Sequence, residues 1–150
     1  MFRLVIASLA TLVVASAVCG AEPRVVRSGQ IVVSDAWTRP TAAGMPMGVA
    51  YFVVRNDGVI EDAIVSASTP AAARVEIHQT TLADGIARMR PLREIVVPAK
   101  GSVAVAPGGI HLMLVDLAAP LSAGARVPLV LQFRRAGRIE IRLAVESRAE

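Results

Sequence analysis

Four side chains in this 150-residue sequence could act on one ligand: His78, Met89, His111 and Met113. His111 and Met113 are two apart in an aliphatic run, and side chains two apart on a strand share a face. His78 and Met89 flank Asp84-Gly85, a dipeptide that favours a two-residue hairpin turn. With that turn, Ala83 faces Ile86 and Thr80 faces Met89. His78 shares the face of Thr80 and so lies diagonal to Met89, within reach of a common centre. A three-residue turn would shift the register and separate them, unless a bulge restores it.

The donor chemistry is selective. Imidazole nitrogen binds many transition metals, whereas thioether sulfur is soft, neutral and suited to Cu(I). Calcium and magnesium want oxygen ligands. Zinc usually recruits Cys or carboxylate, and a blue-copper electron-transfer centre needs a Cys thiolate. A Cys-free, carboxylate-free set of two His and two Met therefore points to metal carriage rather than electron transfer. Taken singly, a strand Met is ordinarily core filling and a His an ordinary hydrogen-bonded residue. Two His, each with a Met companion, in a chain with only two His, put a soft-metal site level with that reading.

Composition narrows the alternatives. The chain is 54% hydrophobic with a net charge of +4, which argues against disorder. Its single Cys excludes an internal disulfide framework or a Cys-clustered zinc site. Aromatic residues make up 3%, too few for base stacking as a main task. Lys100 is the one Lys, and the Arg residues are scattered, with Arg134, Arg135 and Arg138 the densest group. Solvated strand and turn faces account for them, and nucleic acid is not an expected partner. No nucleophile–base pair or paired-carboxylate motif stands out, so an enzyme is not expected.

Residues 1–21 have the layout of a secretory signal peptide: Arg3, an apolar run, then small residues. Cleavage after Ala17 or after Ala21 fits, and the second is preferred, giving a mature chain from Glu22 without Cys and without a membrane span. Lipid attachment at Cys19 is one alternative, with Val18 before the Cys a poor fit to it, and an uncleaved anchor is a further one.

Past the signal, short β segments are punctuated by Gly, Pro, Asn and Asp. Strand character covers residues 30–37, 48–55, 63–67, 74–82, 86–89, 94–97, 102–105, 111–116, 127–133 and 139–146. Residues 71–74 form at most a turn of helix, and residues 41–48 read as a loop. The pattern predicts an all-β antiparallel sandwich or barrel in one domain, residues 22–150.

The full spacing, H-x10-M-x21-H-x-M, resembles the signature of the PCu(A)C family of periplasmic copper chaperones. Asp35-Ala36-Trp37-Thr38-Arg39 is similar to that family's early Trp-Arg segment. Ala50-Tyr51-Phe52-Val53-Val54-Arg55-Asn56 is similar to its Tyr-containing strand, and Gly108 to Leu114 to the segment with the last two ligands. The resemblance covers roughly residues 31–143. It implies a cupredoxin-like β-sandwich binding one Cu(I) through His78, Met89, His111 and Met113. It also implies copper delivery in the periplasm for cytochrome c oxidase assembly, with Sco-type proteins and the copper centre of oxidase subunit II as partners. Many relatives carry a His/Met-rich C-terminal tail thought to hold additional copper; the sequence given ends Arg148-Ala149-Glu150 without one, which leaves binding of a second copper, especially Cu(II), an open question. A copper-storage or resistance protein is the nearest rival, and a metal-free β-sandwich interaction module the next. Met45 and Met47 lie outside the four-ligand pattern. They are expected to pack over the barrel mouth, with a transient landing site for copper as the alternative.

Overall fold

The computed structural model describes residues 24–148. The signal segment, Cys19 and the expected start at Glu22 lie outside the described residues. The described chain forms eleven strands in order: β1 (Val25–Ser28), β2 (Ile31–Thr38), β3 (Met47–Asn56), β4 (Asp62–Ser68), β5 (Ala72–Ala83), β6 (Ile86–Pro91), β7 (Ile95–Val97), β8 (Ser102–Val105), β9 (Ile110–Leu117), β10 (Arg126–Phe133) and β11 (Gly137–Val145). No helix occurs among the described residues. The all-β expectation is met.

The strands pair in the order β6-β5-β9-β3-β2-β11-β10-β4-β7, with β1 added to β2 and β8 to β3. Every pairing is antiparallel except β2 with β11. The sheet folds over on itself, so that inward residues of β2, β3 and β9 meet those of β4, β10 and β11 in one apolar cluster. This is the sandwich solution to burying one face of each sheet.

Strand alternation sorts the residues. In β9, Leu112 and Leu114 are fully buried in the core, and His111 and Met113 take the opposite, outward face. In β3, Ala50, Phe52 and Val54 point inward, while Val49 and Tyr51 point outward. One feature breaks the alternation in β2. Ser34 pairs with Val53 but Trp37 pairs with Tyr51, so three steps on one strand match two on the other. This β-bulge, with Asp35 at φ 53°, turns Trp37 onto the outward face beside Tyr51.

Two expectations need correction. Residues 71–74 hold no helical turn: β5 already runs from Ala72, paired with Leu117. Sheet pairing overrides the local helix preference of Ala-rich sequence there. The edge strand β1 also lies ahead of the first expected strand.

Candidate metal centre

β5 is the strand on which the candidate site is built. It pairs with β6 on one side and β9 on the other. Asp84 (φ 53°) and Gly85 (φ 73°) both adopt the left-handed conformation of a two-residue turn with positive φ at both central positions. The register that follows is the one expected: Ala83 opposite Ile86, and Thr80 opposite Met89. His78 is therefore diagonal to Met89 on one face. Across the other edge His78 is directly opposite His111, and Glu76 is directly opposite Met113. The topology thus brings His78, Met89, His111 and Met113 to one outward face of three adjacent strands.

The two imidazoles are 6.0 Å apart between ring centroids and inclined at 61°. His78 Nε2 lies 3.0 Å from Glu76 Oε2. A carboxylate oxygen accepts, so this nitrogen donates, and in the neutral ring Nδ1 carries the lone pair. That Nδ1 is the one buried side-chain polar atom without a hydrogen-bond partner among the described residues. His111 is arranged the other way round. Its Nδ1 donates to the Gly109 carbonyl at 3.1 Å, leaving Nε2 as the lone-pair nitrogen. Each ring thus has one nitrogen engaged in orienting it and one available to a soft cation.

Exposure is graded across the four. His111 is buried at 5%, His78 and Met113 are half-buried, and Met89 is 54% exposed on the edge strand. An exposed Met on a strand with no buried residue is not core filling. Met113 is backed by Val49, its partner on β3, which packs against Trp37 and Tyr51. Those two rings lie 4.8 Å apart, and the Arg148 guanidinium sits 4.6 Å above Trp37. Asp35 of the bulge accepts from both terminal nitrogens of Arg148, at 3.0 and 2.8 Å. The Trp-Arg and Tyr segments noted in the sequence thus form a wall beside the site.

Sequence reasoning missed Glu76 and Gly109. Glu76 is two residues before His78, so the same period-two rule places it on the same face. Arg74 donates to Glu76 at 2.8 Å and to Asp116 at 2.8 Å. The Arg74 guanidinium, and then His78, hold the Glu76 carboxyl below its ordinary range. The donor set is therefore free of Cys but has a carboxylate behind one imidazole. No group of three or more His, Cys, Asp and Glu that could hold a metal occurs among the described residues, so a multidentate site here depends on thioethers. Met47 does not pack down as expected: it begins β3 and is 41% exposed, with Met45 53% exposed before it.

A family model described as LpqE-like, a family of lipoprotein name, matches residues 31–145. The protein Lxx21020 of Leifsonia xyli subsp. xyli, which also bears a lipoprotein name, is 36% identical over 104 residues, covering 69% of this chain and 61% of its own length. The chain thus matches under two thirds of that relative. Among solved structures, the copper-bound PCuAC domain from PmoF2 superposes with a TM-score of 0.72 at 25% identity, covering 83% of this chain and 98% of that domain. The Cu(I) form of DR1885 from Deinococcus radiodurans gives 0.62 at 25% identity, with 77% of each chain covered. The cupredoxin-like sandwich implied by the sequence resemblance is the fold observed, and PCuAC domains are the structures it matches.

Proposed function

Because the chain belongs to the LpqE-like family and has the fold of PCuAC domains, we propose that it is a copper chaperone that carries one Cu(I) on the outward face of β5, β6 and β9. The observation that carries this reading is the unpartnered, buried Nδ1 of His78, set opposite His111 with Met113 and Met89 on the same face. His78 Nδ1, His111 Nε2 and the two thioethers would be the donors. All four are neutral, which suits a soft monovalent ion.

The proposed task is carriage, not catalysis. The buried His111 and half-buried His78 would hold the ion, and the exposed Met89 would be the ligand an acceptor replaces first. Each copper–ligand bond broken is matched by one formed to the acceptor. The copper stays monovalent, and no proton is released by a thioether. Delivery toward cytochrome c oxidase, through Sco-type proteins to subunit II, is the destination implied by the resemblance. Export through the segment at residues 1–21 fits such a task, with the periplasm as the expected compartment. The lipoprotein names of the family and of its Leifsonia relative favour Cys19 as a lipid anchor for the exported protein.

Anaerobic titration with Cu(I) against a competing chelator tests the centre. The wild type should bind one equivalent, and a Met89→Ala/Met113→Ala double variant should lose it. Equal weak binding by both overturns the metal site. Transfer from the loaded protein to an apo oxidase subunit II domain tests the destination, and failure to transfer favours storage or resistance.

A further inference from the structure

Met45 and Met47 are the described methionines that the four-donor centre leaves unused, and of the two Met47 lies within a strand that borders that centre. It begins β3 paired with Val115, and Val49 pairs with Met113. Met47 is therefore the diagonal neighbour of Met113 on the same outward face, at a separation that long side chains span. The two line one cleft, together with Arg39, Thr41, Gly48 and Val49. Gly48 forms part of its wall: a Cβ there would lie 3.3 Å from the Leu121 side chain, so the backbone is held close against the layer beneath. Met47 is 41% exposed and lies outside the buried core cluster, which leaves its thioether open to a soft ion.

We infer that Met47 and Met113 form a second, outer station for a soft monovalent cation, contiguous with the four-donor centre and sharing Met113 with it. This inference rests on the proposed copper centre and extends it. Two thioethers are a sufficient donor pair for a d10 ion such as Cu(I) or Ag(I), which accepts low coordination numbers and soft neutral sulfur. Passage between the stations keeps the Met113–metal bond. The bonds to His78, His111 and Met89 break as the bond to Met47 forms, and the ion remains monovalent throughout. The cleft thus gives the ion a route along β9 and β3, separate from the exposed hairpin that carries Met89.

The test uses the full chain with 13C-labelled methionine methyl groups, titrated anaerobically with Ag(I) as a diamagnetic probe. The first equivalent should shift the Met89 and Met113 methyl signals. The second should shift Met47 and move Met113 again, as the Met113 sulfur comes to bridge the two ions through its second lone pair, leaving Met45 in place. Met47 unmoved at two equivalents, while Met89 and Met113 respond, overturns the outer station and leaves the centre standing. No response from Met89 and Met113 overturns the centre, and the station with it. A Met47→Leu variant, close in volume and without sulfur, supplies the kinetic readout. It should keep one-equivalent Cu(I) affinity and release Cu(I) to a chelator several-fold more slowly. Unchanged release in that variant overturns the route.

Discussion

His78 and His111 are directly opposed across β5 and β9, yet they are oriented through different nitrogens. Glu76 takes Nε2 of the first, and the Gly109 carbonyl takes Nδ1 of the second. A paired position gives both rings the same face, and the two different anchors decide which lone pair each presents. Position comes from the ladder, whereas the donor atom is set by residues two away along the chain. These two levels of control can be separated by mutation.

The alternation of β9 makes the first separation. Leu114 is fully buried in the core and Met113 lies on the outward face. Leu114→Ala should cost about 2 to 5 kcal/mol of stability through lost burial and a residual cavity. Its folded fraction should still take up one equivalent of Cu(I). Met113→Leu should do the reverse, lowering stability by under about 1.5 kcal/mol while weakening Cu(I) binding. Denaturant unfolding and Cu(I) competition on both variants check this. A matching loss of both properties in each would contradict the division of faces.

The turn at Asp84-Gly85 makes the second separation. Both residues have positive φ, and the two-residue loop sets Thr80 against Met89. Inserting one Gly after Gly85 lengthens the loop to three residues. A one-residue slip of β6 would carry Met89 to the opposite face. The insertion should lower Cu(I) affinity to that of Met89→Ala. The thermal midpoint should move little, because β6 is an exposed edge strand with no residue in the core. Retained wild-type affinity would show that Met89 is not a donor or that a bulge restores the register.

Much of the architecture was legible from period and punctuation. The Asp84-Gly85 hairpin and the outward pairing of His111 with Met113 need only local rules, since a two-residue turn and a period of two leave one register. The direct opposition of His78 and His111 was not legible, because β5 and β9 are brought together by the sheet's folding rather than by a short turn. The bulge at Asp35 was hidden too. Its Asp35 is bonded by Arg148, 113 residues away, which also covers Trp37, and no local rule links those positions. Glu76 was legible in principle by parity with His78. Its role lies behind the imidazole, as the acceptor for Nε2, so the ligand types that suit a soft ion do not single it out.

Glu76 should control affinity without being a donor. Its carboxylate holds His78 in the tautomer that leaves Nδ1 free. Glu76→Ala removes the acceptor, lets the proton move to Nδ1, and should weaken Cu(I) binding about 10- to 100-fold, the usual range for such orienting partners. Glu76→Gln keeps an acceptor oxygen without the charge and should recover part of that loss. Chelator competition gives the affinities, and 15N shifts of the His78 ring give the tautomer. Wild-type affinity in Glu76→Ala would detach the carboxylate from the site.

The same carboxylate sets a pH signature in the stability of the apo protein. Arg74 first, and His78 second, hold the Glu76 carboxyl below its ordinary range. The folded state therefore takes up this proton less readily than the unfolded chain. Stability from Glu76 is complete above the ordinary glutamate range and is lost as pH falls through its lowered folded value. The groups are solvent-screened, so the effect on the thermal midpoint should be small. The midpoint of the wild type should exceed that of Glu76→Gln at neutral pH, and the gap should close in acid. Copper affinity should also fall in acid, but in both proteins, because imidazole must be neutral to bind whereas thioether does not titrate. Thermal melts and Cu(I) competition across the acid range separate the two arms. A midpoint gap that persists unchanged into strong acid would show that Glu76 contributes through packing rather than through its charge.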